Sequence, residues 1–380
     1  MNFSLTEEQQ MLQDSAARFI GQNYSFERRQ KDTSLAQGFD PELWRQIAEL
    51  GWLSVPFSQQ NGGFDGDATD LMVLMEQFGK GLVALPYLPT ILLFGRLLDL
   101  AGINTSYSKL LGQVIEGNIQ GSLAFMERQA RYQLSDVKTE AVRSEQSFVI
   151  TGEKALVLNG PNCDKLIVSA RTSGGQYDEE GISLFLVDAN ASGLSRTDYR
   201  LMDGQTVANF YFDQVKVPTE QLIGQEGKGL MLLKRVIDQA LLGTCAEALG
   251  LMHRLTDTTI EYSKVRKQFG VTIGSFQALQ HRMVDMFTAC EQTRSLLFRA
   301  VCSAASMETN EHQKNLHALK VLTGRNGKAV GNEAIQLHGG MGLTDELDVG
   351  HGVKRLMVIN SLFGDADFHQ QKMVIRSLEA

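Results

Sequence analysis

Two changes of hydrophobic period constrain this chain more than any single motif. Residues 1–120 and the stretch after Pro218 carry apolar residues at helical spacing, whereas about 121–225 carries short β-branched runs bounded by Gly, Asn, Asp and Pro. Helices, then strands with no helices between them, then helices predict an α+β multidomain chain. Its expected parts are an N-terminal helical domain over 1–120, an antiparallel β-barrel or sandwich over 121–225, and a C-terminal helical bundle over 226–380. A length of 380 residues, too great for one core, agrees.

Local signals mark several elements. "SLTEEQQMLQDSAARFIGQNY" opens on a Ser/Thr-x-x-Glu capping signal and sets Leu12, Ala16, Phe19 and Ile20 on one face. In "DPELWRQIAELGW", Asp40 is the expected N-cap, Pro41 the first helical residue and Gly51 the stop. "SFVITGEKALVLNG" reads as a hairpin turning around Thr151-Gly152-Glu153, followed by strands in "DKLIVSAR", "GISLFLVDAN" and "ANFYFDQVKVP". The segment beginning "GLMLLKRVIDQALLG" has apolar residues at 230, 233, 237, 241, 245 and 249 and predicts a helix buried on several sides.

Charge and composition exclude whole classes. A formal net charge of −8 argues against nucleic acid as the main partner. The polar, acidic "MNFSLTEEQQ" is no signal peptide, and "GLVALPYLPTILLFGRLLDLAG", broken by two prolines, an Arg and an Asp, is no membrane span. Cys163, Cys245, Cys290 and Cys302 lack CxxC spacing and nearby histidines, which predicts reduced, buried thiols in a cytoplasmic protein and no metal site. No GxGxxG follows a strand and no GxxxxGK[ST] occurs, so neither a Rossmann nor a P-loop site is indicated.

The order of elements and four stretches resemble the acyl-CoA dehydrogenase family of flavoproteins. They are "TEEQQMLQDSAARFI", "ELGWLSVP" with "NGGFDG", "YSKVRKQFGVTIGSFQALQHRMVDM", and "EAIQLHGGMGLTDELDV". The resemblance implies a four-helix C-terminal bundle. It also implies FAD held between the β-domain and that bundle, partly by a neighbouring subunit of a homo- or hetero-tetramer. The implied reaction is oxidation of an acyl-CoA, from a fatty acid or a sterol side chain, to the 2-enoyl-CoA, with an electron-transfer flavoprotein as acceptor. Such chemistry needs a carboxylate in a dry pocket to take the alpha proton, fixed donors for the enolate oxygen, and a flavin for the hydride. The implied cofactor residues are Arg266, Phe269, Phe276 and Gln277 in "RKQFG…FQ", Gln336, Leu337, His338, Gly339 and Gly340 in "QLHGG", and Asp367. As structure alone, Arg266 is a surface residue with Phe269 in the core, and Gly339-Gly340 is a helix C-cap.

Three departures from the family pattern matter. The flavin-contacting TEPxAGSD-like stretch is replaced by "AFMERQARYQLSD", which keeps only Glu127 and Ser135-Asp136. A Trp-x-Thr that packs on the flavin ring is replaced by Leu156 and Leu158. The family's two base positions fall on Gly364 and Ala240, neither a carboxylate. In "FGDAD", Asp365 either supplies the base from one residue further on or caps the last helix, and Asp367 is the other candidate cap. The lost elements serve a subunit's own flavin ring, and the kept ones reach toward a neighbour's cofactor. This leads to an alternative: a non-catalytic subunit of a hetero-oligomeric acyl-CoA dehydrogenase that completes the partner's FAD site.

Overall fold

The computed structural model describes residues 5–102, 105–306 and 309–378. Its first helices are α1 (Glu7–Asn23), α2 (Phe26–Ser34), α3 (Pro41–Glu49), α4 (Ala68–Gly81), α5 (Arg96–Leu100) and α6 (Thr105–Ile115). Strands follow: β1 (Gly121–Ala124), β2 (Glu140–Ser144), β3 (Ser147–Leu158), β4 (Lys165–Arg171), β5 (Ile182–Asp188), β6 (Leu194–Arg200), β7 (Thr206–Pro218) and β8 (Leu222–Ile223). The chain then returns to helix with α7 (Gly229–Val265), followed by the short strands β9 (Lys267–Gln268) and β10 (Val271–Thr272). Helices α8 (Gln277–Ser303), α9 (Asn310–His338), α10 (Asp348–Ser361) and α11 (Ala366–Leu378) complete it. A helical N-terminal domain, a β-rich middle domain and a helical C-terminal domain are thus the fold.

Packing partitions the same chain differently from period. One compact unit comprises Met1–Lys31, Ala68–Val83 and Leu241–Ala380, and the other Asp32–Asp67 with Ala84–Ala240.

In the first unit α1 lies on α4, α4 touches α8, and α9 contacts α8, α10 and α11. The start of α1 is a capping box in which Thr6 accepts from Gln9 N at 3.2 Å and Gln9 Oε1 accepts from Thr6 N at 3.1 Å. Gln9 therefore takes the part expected of a Glu, and Ser4 lies outside the described residues. Residues 241–252 of α7 are buried without interruption. Two glycines let α4 and α7 come this close. A Cβ on Gly79 would stand 2.0 Å from the Glu247 carbonyl oxygen, and one on Gly250 would stand 2.0 Å from that of Glu76. The carboxylate of Glu247 is satisfied by a two-pronged pair with Arg355 of α10, at 2.6 and 2.8 Å.

The second unit is built on an eight-stranded sheet among the described residues, in the order β6-β7-β3-β2-β4-β5-β8, with β1 on β4. Most ladders are antiparallel, as expected, but β1 and β2 run parallel to β4, which makes the sheet mixed. Its core is apolar, with Phe148 and Phe185 at 4.9 Å between ring centroids. The expected hairpin at Gly152 is absent. β3 runs through this position with a register shift, because Gly152 (φ 147°) passes so near Thr139 that a Cβ would stand 2.7 Å from its Cα. The turn comes earlier, at Glu145-Gln146, between the paired Ser144 and Ser147. Asp40 caps α3 by accepting from Glu42 N at 2.9 Å, and Gly51 takes φ +78° just beyond that helix. Leu88–Gly95, buried throughout, forms a π-helical turn ahead of α5. Among the described residues, no helix is long and apolar enough to cross a membrane, and no group of His, Cys, Asp and Glu could hold a metal ion. Cys163, Cys245 and Cys290 are buried, but Cys302 is exposed, contrary to expectation.

Candidate functional site

The end of α7 and the end of α9 meet through one aromatic pair. Tyr262 stacks on His338 with ring centroids 4.4 Å apart and planes at 27°. The His338 ring is held from its other side, where Nδ1 donates to the Ala334 carbonyl at 2.8 Å. This contact ties the "RKQFG" segment, four residues past Tyr262, to the twin-glycine bend that follows His338.

Beyond α7 the chain makes an exposed arm. Arg266 N closes the last helical turn onto Tyr262 O at 2.9 Å, and Arg266 O accepts from Ile273 N at 2.8 Å. Phe269 (φ 54°) and Gly270 (φ 84°) form the two-residue turn between β9 and β10, both in the left-handed region as a tight hairpin requires. The result is a Phe269 ring that is 92% exposed, not a core residue, and meets Phe276 edge-to-face at 6.3 Å. Phe276 precedes α8, and Gln277 opens that helix on the surface. Arg266 is exposed, with no side-chain hydrogen bond or ion pair among the described residues.

At the bend, Leu337 and His338 face the protein interior, while Gln336, Gly339 and Gly340 lie toward the surface. Gly339 takes φ +61°, and a Cβ on Gly339, Gly340 or Gly270 would meet nothing within 4 Å. A free guanidinium, an amide at the surface, an exposed aromatic ring and open glycine backbone fit the diphosphate and adenine end of a dinucleotide. Leu337 and His338 fit as support beneath it. Asp367 is exposed in the first turn of α11.

The Asp365 region forms a separate cluster. Asp365 Oδ1 accepts from Phe368 N at 2.9 Å, the geometry of an N-cap on α11. Just before it, Phe363 (φ 59°) and Gly364 (φ 114°) make a corner in the left-handed region. A Cβ on Gly364 would stand 2.5 Å from Phe368 Cδ1 and 2.6 Å from His369 Nε2, so His369 occupies the direction a side chain would take. His369 Nε2 donates to the Phe363 carbonyl at 3.0 Å, which leaves its Nδ1 to accept from His317 Nδ1 at 2.9 Å. Burial, then mutual repulsion and nearby cations, pushes His317 down to about 3. Burial likewise holds His369 down at about 4. Lys320, one turn beyond His317, is wholly buried and donates to the Ile359 carbonyl. Burial brings its ammonium down to about 8, against the pull of Cys245 and Asp365. Sequence reasoning missed Tyr262, His317, Lys320 and His369 as functional or structural partners. Tyr262 lies inside a quoted stretch, but its partner is 76 residues away in sequence (338 − 262), and His317 and His369 are 52 apart.

In the second unit the flavin-facing stretch of the family is rebuilt. Glu127 is buried, taking Lys154 Nζ at 2.6 Å, Lys138 N at 2.8 Å and Thr139 N at 3.1 Å. Burial alone would raise its carboxyl, but the Lys154 ammonium and these donors hold it at about 2. It is therefore a structural anion. Asp136 accepts from Gln129 and Gln176, and the Ser135 carbonyl accepts from Arg171. Leu156 (φ 53°) sits on a second irregularity of β3, its amide donating to Asn209 Oδ1 at 3.1 Å, and Leu158 is buried. Ala240 is buried in α7. An apolar ring surface fits Leu156; a hydrogen bond from a hydroxyl at 156 or 158 does not exist in this chain.

Comparison with known proteins gives matches along nearly the whole chain. Sequence models of the acyl-CoA dehydrogenase N-terminal, middle and C-terminal domains match residues 6–118, 122–215 and 227–378. The chain is 28% identical over 348 residues to the caffeyl-CoA reductase-Etf complex subunit CarC of Acetobacterium woodii, covering 90% of each. The FAD complex of PigA superposes with a TM-score of 0.92 at 26% identity, covering 100% of this chain and 99% of that one. A variant of the Tcur3481-Tcur3483 steroid ACAD superposes at 0.88, with 26% identity and 98% of both chains covered.

Proposed function

Because the chain belongs to the acyl-CoA dehydrogenase family, we propose that it serves the FAD-dependent oxidation of an acyl-CoA thioester to the 2-enoyl-CoA as one subunit of a hetero-oligomeric enzyme. The observation that carries this reading is the Tyr262–His338 stack, which unites the arm and the bend. Arg266 and Gln336 hold the diphosphate and adenine end, Phe269 and Phe276 give it an aromatic surface, and Gly339-Gly340 let the backbone approach. FAD, when bound, supplies the acceptor for the beta hydride. The base comes from a partner chain, since Asp365 is committed as a cap, the Gly364 corner is filled by His369, and Ala240 has no carboxylate. An electron-transfer flavoprotein is the acceptor in a cytoplasmic assembly, a proposal supported by the likeness to a subunit of an Etf complex.

A second reading, a homo-tetramer with Asp365 as its own base, is favoured by one detail. Only Oδ1 of Asp365 is used by the cap, which leaves Oδ2 free to take a proton. The two are separated by Asp365→Asn, assayed with the chain purified alone and co-expressed with a partner. If the cap is its role, the asparagine keeps it through its own Oδ1, so the melting temperature holds and kcat of the assembly stays within about threefold. Loss of turnover by about a thousandfold at unchanged stability supports the base instead.

A further inference from the structure

Arg96 and Arg235 lie in the second unit, in none of the motifs already used. Arg96 opens α5 and donates from Nε to Gln239 Oε1 of α7 at 2.9 Å. Gln239 and Arg235 are one helical turn apart on α7, so Arg235 lies on the face of that helix to which Arg96 is bound, near enough for the two charges to interact. Arg235 Nε is buried without a hydrogen-bond partner. The nearby acids are already engaged. Asp99 accepts from Ser58 N at 3.3 Å, Ser58 Oγ at 2.7 Å, Asn61 Nδ2 at 2.8 Å and Arg96 Nη1. Asp65 caps Gln59 N at 3.1 Å, and Asp238 has an interaction of its own. Lys234, next to Arg235, is paired with Glu179 at 2.8 Å. Burial, and then the charge of Arg235, depresses Arg96 against the pull of Asp99. Arg96 and Arg235 therefore stand near Asp99 and Asp65, both of which already accept hydrogen bonds from other groups, and Arg235 Nε is left facing no acceptor.

We propose that Arg96 and Arg235 form an oxyanion-binding subsite that takes a carboxylate or phosphate group. A guanidinium fork fits such a group with paired hydrogen bonds, and an incoming oxyanion would satisfy the orphan donor. Only the molecule that carries the anion rests on the functional reading above. That molecule is an acyl-CoA, offering either an acid group at the far end of its acyl chain or its own phosphates.

The test uses the purified protein, with its partner where one co-purifies, and the variants Arg235→Gln and Arg235→Lys. Inorganic phosphate and glutarate raise the melting temperature of the wild type and of Arg235→Lys, and fail to raise that of Arg235→Gln. Titration calorimetry with CoA, hexanoyl-CoA and adipoyl-CoA then identifies the source. Loss of about tenfold in Arg235→Gln for adipoyl-CoA alone assigns the acyl carboxylate, and an equal loss for all three assigns the CoA phosphates. The subsite is overturned if Arg235→Gln keeps the anion-induced shift and binds every probe within about twofold of wild type. If no CoA compound binds the wild type but the Arg235-dependent phosphate shift persists, the functional reading fails and the subsite stands.

Discussion

His317 and His369 meet through their Nδ1 atoms, and burial, with repulsion between the two rings and from nearby cations, opposes charging them. Unfolded, both titrate near 6.5; folded, they resist protonation until about 3 and about 4. The stability they contribute is therefore complete above pH 6.5 and is lost as pH falls through the window down to about 3. Each group removes up to about 1.4 kcal/mol per pH unit within its window. Urea midpoints measured from pH 7 to pH 4 should fall steadily, and His317→Ala with His369→Ala should flatten that slope even while lowering the plateau. Buried charge makes a second prediction. Lys154→Met leaves Glu127 ionised in the β-core without its cation, and should destabilise by about 3–5 kcal/mol in chemical unfolding. Glu127→Gln with Lys154→Met together should recover much of that loss.

Elements show which interactions a sequence makes visible. α3 is legible in advance because Asp40, Pro41 and Gly51 act within a few residues of one another. The same holds for α7, whose apolar circumference is a property of its own 37 residues. β6 is not, since "LSRTDYR" is an exposed edge strand with no buried face to impose alternation. Reading a turn at Gly152 fails for a related reason. Its glycine answers to Thr139, on a neighbouring segment, and not to a reversal of its own strand. In the candidate site, the arm and the bend are legible as motifs, while the Tyr262–His338 contact that joins them is not, because it depends on how two helices end together. The α4–α7 contact carries the matching prediction. Gly250→Ala pushes a methyl group into the Glu76 carbonyl and should destabilise by about 3 kcal/mol or more, seen as a lowered urea midpoint.

At the scale of the whole molecule, the net charge of −8 argues against a nucleic-acid backbone as the main partner. Under the proposed function, the two halves of a flavin site are unequally kept within one chain. The surfaces fitted to a diphosphate are open and unpaired, whereas the stretch related to ring binding is tied up in internal ion pairs and hydrogen bonds. A chain built this way should purify nearly colourless by itself and turn yellow when co-expressed with a partner that contributes the ring-binding half. The ratio of absorbance near 450 nm to that at about 280 nm checks this, and Arg266→Ala in the assembly should lower it further.

The corner at Gly364 also has a meaning for descent. A single codon change that adds a side chain there is strained, because φ is +114° and the Phe368 and His369 rings must move aside. Either neighbour would have to shrink first, with no benefit until the second step arrived. The corner is thus held by two rings at once, and a side chain settles in it without strain only when a neighbour changes with it.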